Sequence, residues 1–391
     1  MGTRFRFLAG IVVPVLLVGL NACNSSNSSS SSGTGAVFVA SQGDSSVTSF
    51  SIDLSTGLLT ANGGSVATGS VPSAMILAPS GTVLFIANRG SNNISAYTVK
   101  TDGTLTAAGS SQATGMTPLS MAMDSGGHFL FVANQGLQID PNSGTVSVFA
   151  VSTTSLTEVP GSPFVVAAPG APGGTGPSGV AVTPDGKFLF VANQFDSTVS
   201  KFSVDASGVL TRGPVVPVGT TPATLTVTAD GGFLYVANAS TISGFAICGQ
   251  VLTSCNDPTS PDGSLTVIGG SPFPSGVNPV AIVAAPSGKF LYAVSRQSNQ
   301  IAEYKVATGT GELTANTQAV ISTGATPVGA AIRTGTTTIT ATGGITDYLY
   351  VPNLGSSSLS VYSFDSTVGT LSLVGGPVSI TGGQPSAVAA E

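Results

Sequence analysis

Charged side chains are scarce in this sequence, at 7% of 391 residues against roughly 25% in ordinary soluble proteins. The 11 lysines and arginines are outnumbered by 17 acidic residues, so no basic surface is available to neutralise phosphates. This balance argues against nucleic acid as a partner. Glycine, serine, threonine, alanine and valine take the place of the missing charge, and such a composition favours strands and tight turns over helices.

Groups that carry out chemistry are also few. The sequence has one histidine and three cysteines, and no other cysteine or suitably spaced histidine accompanies them to form a metal site. No G-x-S-x-G nucleophile elbow, lysine-bearing phosphate loop or C-x-x-C pair occurs in a context that would support it. We therefore expect neither a metal nor a cofactor.

The N-terminus has the pattern of an exported protein. Residues 1–22 are typical of a signal peptide, because Arg4 and Arg6 precede an apolar segment that is short and broken by Pro14. The next motif, Leu-Asn-Ala-Cys ending at Cys23, resembles a bacterial lipobox. That resemblance implies acylation of the cysteine. An ordinary signal peptide or an uncleaved anchor with an incidental cysteine is the alternative.

A lipid on Cys23 would hold the chain to a bacterial membrane, and Asn24 after the cysteine favours the outer membrane by resemblance to other lipoproteins. Residues 23–35 are nearly all serine and asparagine after the cysteine, which predicts a flexible tether. The remaining cysteines, Cys248 and Cys255, lie close together in a Gly/Pro/Asp-rich insertion. In an oxidising compartment they can form a local disulfide, and two independent buried thiols are the alternative.

One unit recurs seven times between residue 36 and the C-terminus. Each copy contains a strand like FLFVAN, a strand with an aromatic residue, and a strand of small residues that follows a proline. The aromatic column is Phe50, Tyr97, Phe149, Phe202, Phe245, Tyr304 and Tyr362. A repeat of 45 to 59 residues lies in or just above the range of β-propeller blades.

The two ends of the repeat region are complementary. The region opens near Val37 with a second strand and finishes at Ala390 with a first strand, so the last strand must complete the first blade. We predict an all-β fold over residues 36–391, a seven-bladed β-propeller of four-stranded antiparallel blades. Insertions are predicted at residues 137–143, 169–176, 249–261 and 334–347.

The FLFVAN motif, the xPxxVAVTPDG motif and the aromatic column resemble the YVTN-type repeat and the seven-bladed lactonase family, which includes bacterial 6-phosphogluconolactonase. The resemblance covers residues 36–391 and implies lactone hydrolysis by histidine, glutamate and arginine side chains in the central channel. This sequence departs from that pattern, since His128 occupies a turn that we place on the opposite face.

Polar residues just after the second strands form the candidate site, since those loops ring the channel. Lactone hydrolysis needs a base to activate water and donors to hold an oxyanion. Asp44 and Asp196 could act as bases, with Arg89 and Arg296 as donors; the alternative is that all four are solvated loop residues. The asparagines at the strand ends suggest either calcium ligands or, because they recur, bonds to nearby backbone. They are Asn88, Asn134, Asn193, Asn238 and Asn353.

Two functions from different classes follow. The sequence favours an envelope-anchored monomer whose loop face binds a protein, a glycan or a small molecule, because this function requires only the fold and the tether. The alternative is a lactone hydrolase with its site in the central channel.

Overall fold

Every regular element that the structure describes is a β-strand. The computed structural model describes residues 34–168, 175–249, 262–316, 321–333 and 346–390. Within these ranges no helix has the length and apolarity to cross a membrane. The predicted signal peptide, Cys23 and Cys255 lie outside the described residues, as do all or most of three of the four predicted insertions.

The described strands form seven antiparallel sheets, each ordered from an inner strand through a second and a third strand to an outer one. The inner strands of blades 2 to 7, then of blade 1, are Pro72–Leu77, Pro118–Met123, Pro177–Val182, Thr224–Val227, Pro279–Ala284, Ala331–Arg333 and Pro385–Ala390. The second strands of blades 1 to 7 are Thr34–Ser41, Val83–Asn88, Phe129–Asn134, Phe188–Asn193, Phe233–Ala237, Phe290–Ser295 and Thr346–Asn353. The predicted seven-bladed propeller is confirmed.

The third strands carry the aromatic column. In blades 1 to 7 they are Ser46–Asp53, Asn93–Val99, Thr145–Ser152, Thr198–Val204, Thr241–Ile247, Gln300–Val306 and Ser358–Asp365. Their side chains alternate between the two faces of each blade, as in any strand. Both faces are therefore available to pack against neighbouring blades.

The outer position is divided into two short segments in six of the seven blades, and both segments pair with the third strand. They are Leu59–Ala61 with Val66–Ala67, Leu105–Ala107 with Gln112–Ala113, Ser155–Glu158 with Phe164–Val165, Leu265–Val267 with Phe273–Pro274, Leu313–Ala315 with Ile321–Ser322, and Leu371–Leu373 with Val378–Ser379. Blade 4 has one continuous strand, Leu210–Pro217. In five of these six blades a glycine with positive φ lies between the two segments, as at Gly109, and that conformation ends strand pairing.

The first blade closes the ring as predicted. The strand Thr34–Ser41 pairs with the C-terminal strand Pro385–Ala390 in a register that joins Val37 to Ala390 and Val39 to Val388. It begins two residues before the predicted start of the propeller. Two inner strands are shorter than predicted from their prolines. In blade 7 Pro327 makes only an isolated bridge to Asn353, and regular pairing of the inner strand begins at Ala331.

The hydrophobic core lies between the blades. Between blades 3 and 4, for example, Phe131 packs with Leu189, Val191 and Phe202, all at most 2% exposed. Tyrosine hydroxyls add links between neighbours: Tyr97 of blade 2 donates to the carbonyl oxygen of Ala67 in blade 1 at 2.6 Å. Each blade is therefore held by its two neighbours, and this arrangement fixes the loops that meet at the axis.

Candidate active site

One residue per blade follows the second strand, directly in six blades and after Asn238 in blade 5, and lies where the blades meet at the axis. We call these residues the mouth ring. Each ring residue donates its backbone N–H to a residue shortly before the inner strand, as Arg89 does to the carbonyl oxygen of Val71 at 3.0 Å and Arg296 to that of Asn278 at 2.9 Å. The mouth ring comprises Gln42, Arg89, Gln135, Gln194, Ala239, Arg296 and Leu354.

The backbone acceptors of the mouth ring have an unusual conformation. Val71, Thr117, Asn278, Thr326 and Gln384 all have φ between 50° and 57°, the left-handed region that side chains other than glycine and asparagine rarely adopt. Each directly precedes the proline that opens or comes before an inner strand, and the conformation recurs from blade to blade. It therefore belongs to the repeat and gives these five ring residues the same backbone anchor.

A cavity of about 170 Å³ opens within the mouth ring. Its lining comes from five blades (1, 2, 3, 6 and 7), which meet only at the axis, and we call it the axial cavity. The lining residues are Gln42, Pro72, Ser73, Arg89, Leu119, Arg296, Val328, Leu354, Pro385 and Ser386.

The charge of the axial cavity comes from two arginines. Arg89 and Arg296, on blades 2 and 6, are both exposed and both line it. No aspartate, glutamate or histidine occurs among its described lining residues. Guanidinium groups donate hydrogen bonds and accept none. The cavity is therefore suited to a ligand oxygen that carries or develops negative charge.

Two serines add acceptors to the same cavity. The hydroxyl of Ser73 donates to the carbonyl oxygen of Pro118 at 2.7 Å, and that of Ser386 donates to the carbonyl oxygen of Ala40 at 3.3 Å. Because each hydroxyl has a single hydrogen, both serines can only accept a further hydrogen bond. Gln42 supplies an amide that can donate and accept.

The structure brings together two of the four predicted catalytic residues. Arg89 and Arg296 share the axial cavity, whereas Asp44 and Asp196 are absent from its lining. Asp44 accepts a hydrogen bond from the Ser46 hydroxyl at 2.7 Å and lies against Gly382. Its carboxylate belongs to the loop between the second and third strands.

Asp196 has the same kind of role in blade 4. Its Oδ1 accepts a hydrogen bond from the Thr198 hydroxyl at 2.8 Å. Burial raises the pKa of Asp196, against the opposing effects of the Thr198 hydrogen bond and the charge of Arg212. Neither carboxylate belongs to the lining of the cavity that Arg89 and Arg296 share.

Sequence reasoning missed the inner-strand part of the site. Ser73, Leu119, Val328 and Ser386 each follow the proline that precedes or opens an inner strand. That position could have been recognised as a column, since the innermost strands face the channel and the residue after the proline is nearest its mouth.

Other polar groups with predicted roles are structural. His128 lies in the turn between the inner and second strands of blade 3, with Nδ1 3.0 Å from Oδ2 of Asp124, as expected. Hydrogen bonds from nearby hydroxyls and backbone N–H groups lower the pKa of the turn aspartates Asp53 and Asp102, with Ser55 and Thr104 respectively as the main donors. These carboxylates stabilise the turns that follow the third strands.

The recurring asparagines are buried and bond mainly to hydroxyls of the third strand. Asn134, which is 0% exposed, donates from Nδ2 to Thr145 Oγ1 at 3.1 Å and to Ser147 Oγ at 3.0 Å. The corresponding pairs are Asn88–Ser95, Asn193–Ser200, Asn238–Ser243 and Asn353–Ser360. These asparagines therefore have the structural role that their recurrence suggested, although most of their hydrogen bonds go to hydroxyl groups and fewer to the backbone. We call these the Asn–Ser pairs.

Cys248 is disulfide-bonded in the structure, and its predicted partner, Cys255, lies outside the described residues. Within the described ranges, no group of three or more histidine, cysteine, aspartate or glutamate side chains could hold a metal ion.

The model of one protein family, the seven-bladed β-propeller lactonases, matches residues 62–160, 142–248 and 262–389. Solved structures with the same fold include a Bacteroides uniformis protein provisionally described as a 6-phosphogluconolactonase, with 20% identity, a TM-score of 0.69 and coverage of 92% of this chain and 100% of that one. A periplasmic gluconolactonase of Pseudomonas aeruginosa has 21% identity, a TM-score of 0.67 and coverage of 91% and 99%. No curated protein matches this sequence at a significant level.

At these identities the solved structures establish the fold alone. The family match supports the lactone hydrolase better than the envelope-anchored scaffold that the sequence alone favoured.

Proposed function

Because this chain belongs to the seven-bladed β-propeller lactonase family, we propose that it hydrolyses a lactone in the axial cavity. The observation that carries the proposal is the convergence of Arg89 and Arg296, from blades four positions apart along the chain, on one cavity whose described lining holds no carboxylate. The two guanidinium groups would bind the lactone carbonyl oxygen and stabilise the oxyanion that forms there.

The reaction opens a cyclic ester with hydroxide from the solvent. The hydroxide oxygen bonds to the carbonyl carbon and gives a tetrahedral oxyanion. The bond from that carbon to the ring oxygen then breaks, and the ring oxygen takes up the proton that the hydroxide brought. The product is a hydroxy-carboxylate, whose charge Arg89 and Arg296 would also neutralise.

Activation of the water differs from the usual pattern, because no carboxylate or imidazole of the described residues lines the cavity. Solvent hydroxide is the nucleophile in this scheme, and the protein contributes electrostatic stabilisation. Removing one oxyanion donor from a hydrolase typically lowers kcat by about 10² to 10³. We therefore assign most of the rate enhancement to the two arginines.

The test is hydrolysis of a panel of sugar and aliphatic lactones by the purified protein. Arg89→Ala and Arg296→Ala should each lower kcat/KM by about 10² or more. Lys305→Ala is the matched control, since Lys305 carries the same charge on the third strand of blade 6 and is exposed. Hydrolysis that both arginine variants retain at the level of the control would refute the proposal.

We also propose that the protein works in the bacterial envelope, anchored through a lipid on Cys23. The leader-like residues 1–22 and the lipobox-like motif support this address. The periplasmic location of the Pseudomonas gluconolactonase is in keeping with it.

A further inference from the structure

The axial cavity has an apolar part as well as a cationic one. Leu354 belongs to the mouth ring. Leu119 is the second residue of the inner strand of blade 3, and Val328 comes shortly before the inner strand of blade 7. All three line the cavity. We call them the apolar wall. Arginine donors and apolar side chains therefore share a small space in which a ligand would contact both.

Apolar surface is also found on the loops of blade 3 at the same end of the propeller. Met116, Leu137 and Ile139 are 42%, 47% and 88% exposed, and we call them the blade 3 rim. Gly136 donates its N–H to the carbonyl oxygen of Met116 at 3.2 Å, which holds the two loops side by side. Leu119 of the apolar wall follows Met116 by three residues.

The loop that carries Leu137 and Ile139 is internally fixed. The Ser143 hydroxyl accepts a hydrogen bond from the backbone N–H of Leu137 at 2.7 Å and donates to the carbonyl oxygen of Asp140 at 2.8 Å. A fixed loop that keeps an isoleucine almost wholly in water gives up the favourable burial of that side chain. A ligand that extends over blade 3 would recover part of it.

The hydrogen-bonding groups of the cavity select among lactones. A lactone ring presents only acceptors, its carbonyl and ring oxygens, and these match the donors of Arg89 and Arg296. A sugar lactone adds several hydroxyl hydrogens that need acceptors. The described lining offers only Gln42, Ser73 and Ser386 as side-chain acceptors, whereas an alkyl arm requires no acceptor.

We infer that the preferred substrate is a lactone with an aliphatic arm, its carbonyl bound at Arg89 and Arg296 and its arm running past Leu119 of the apolar wall toward the blade 3 rim. The inference rests on the proposed function and names its substrate class. Each methylene that leaves water should raise kcat/KM by about threefold to fourfold. An arm that buries four methylenes should gain about two orders of magnitude.

The experiment compares γ-decalactone, γ-butyrolactone and glucono-δ-lactone as substrates of the full-length purified protein. We expect kcat/KM to be at least about tenfold higher for γ-decalactone than for the other two. The double variant Leu137→Ser, Ile139→Ser should raise KM for γ-decalactone threefold or more and leave γ-butyrolactone hydrolysis unchanged. Leu373→Ser is the matched control, since Leu373 is 54% exposed on the outer strand of blade 7.

A higher kcat/KM for glucono-δ-lactone, or equal kcat/KM for the two aliphatic lactones, would overturn the inference about the substrate class. Hydrolysis of any of these lactones would still support the proposed function. If no lactone is hydrolysed, the proposed function fails, and calorimetry with the corresponding acids decides the ligand class. Binding of 4-hydroxydecanoate at least tenfold tighter than that of 4-hydroxybutyrate and gluconate would uphold the aliphatic arm. Equal or absent binding of all three would overturn it.

Discussion

Replacement of Asn134 by alanine should unfold the propeller more easily, because the Asn–Ser pairs tie the second strand of a blade to the third. Asn134 donates two buried hydrogen bonds, to Thr145 and Ser147, and each contributes about 1 kcal/mol net. The amide also fills space: a Cβ on Gly115 would collide with it. Loss of packing adds about 1 kcal/mol, and removal of Oδ1, which is buried without a hydrogen-bond partner, offsets about 1 kcal/mol, so Asn134→Ala should cost about 2 kcal/mol.

The pairing itself is measured by a double-mutant cycle with Ser147→Ala. Ser147 is 0% exposed, and its hydroxyl oxygen also accepts the N–H of Gly115 at 3.2 Å. We expect the two substitutions together to cost less than the sum of each alone, with a coupling energy of about 1 kcal/mol. Urea unfolding followed by circular dichroism suits this chain, which has no tryptophan.

Blade 6 provides the matched control. There Ser295 stands in place of the asparagine and Ala302 in place of the serine. Ser295 is 1% exposed and its Oγ has no hydrogen-bond partner, so Ser295→Ala should change the free energy of unfolding by less than about 0.5 kcal/mol. If Asn134→Ala costs no more than this control, or if the cycle shows coupling below about 0.3 kcal/mol, the Asn–Ser pairs do not stabilise the blades.

Four further outcomes are expected. Without a titrating base in the cavity, kcat/KM should rise close to tenfold per pH unit from pH 6 to 9, and a plateau or a bell-shaped profile would reveal a base that we have not identified. Burial raises the pKa of Glu303, and its Oε2 has no hydrogen-bond partner. The stability that the protonated carboxyl contributes at low pH is therefore lost as the pH rises through the pKa of the folded state. Glu303→Gln should increase stability at pH 8 by about 1 kcal/mol in urea unfolding and have little effect at pH 4, whereas a loss at pH 8 would contradict the sign. Val388→Asp puts a charge in the closing strand at a residue 7% exposed and should cost at least about 3 kcal/mol or prevent folding; a stable variant would contradict closure by that strand. Cys23→Ser should move the protein from the membrane fraction to the soluble fraction, and unchanged fractionation would contradict the lipid anchor.

The fold was predictable because a repeat propagates one pattern to every blade. The aromatic column and the proline-led strands mark the sheet positions seven times, and the complementary ends near Val37 and Ala390 predict the closure that the structure has. Division of the outer strand was not predicted, since in five of the six divided blades it accompanies the positive φ of a single glycine such as Gly109. Composition does not distinguish such a glycine from one inside a turn.

The site was predictable only in part, because it is formed by residues that differ from blade to blade and not by the motif that all blades share. Arg89 and Arg296 follow their strands directly and line the axial cavity together. Asp44 and Asp196 come two residues later, and hydroxyl groups at Ser46 and Thr198 hold them in the loops. A difference of two positions along a turn decides whether a side chain reaches the axis, and sequence spacing alone did not resolve it.

The most direct test of the account is a crystal structure of the protein with the hydroxy-carboxylate product of a lactone that it hydrolyses. We predict the product carboxylate in the axial cavity, with its oxygens within hydrogen-bonding distance of the guanidinium groups of both Arg89 and Arg296. A product bound elsewhere on the propeller, or one in the cavity that contacts neither arginine, would contradict the account.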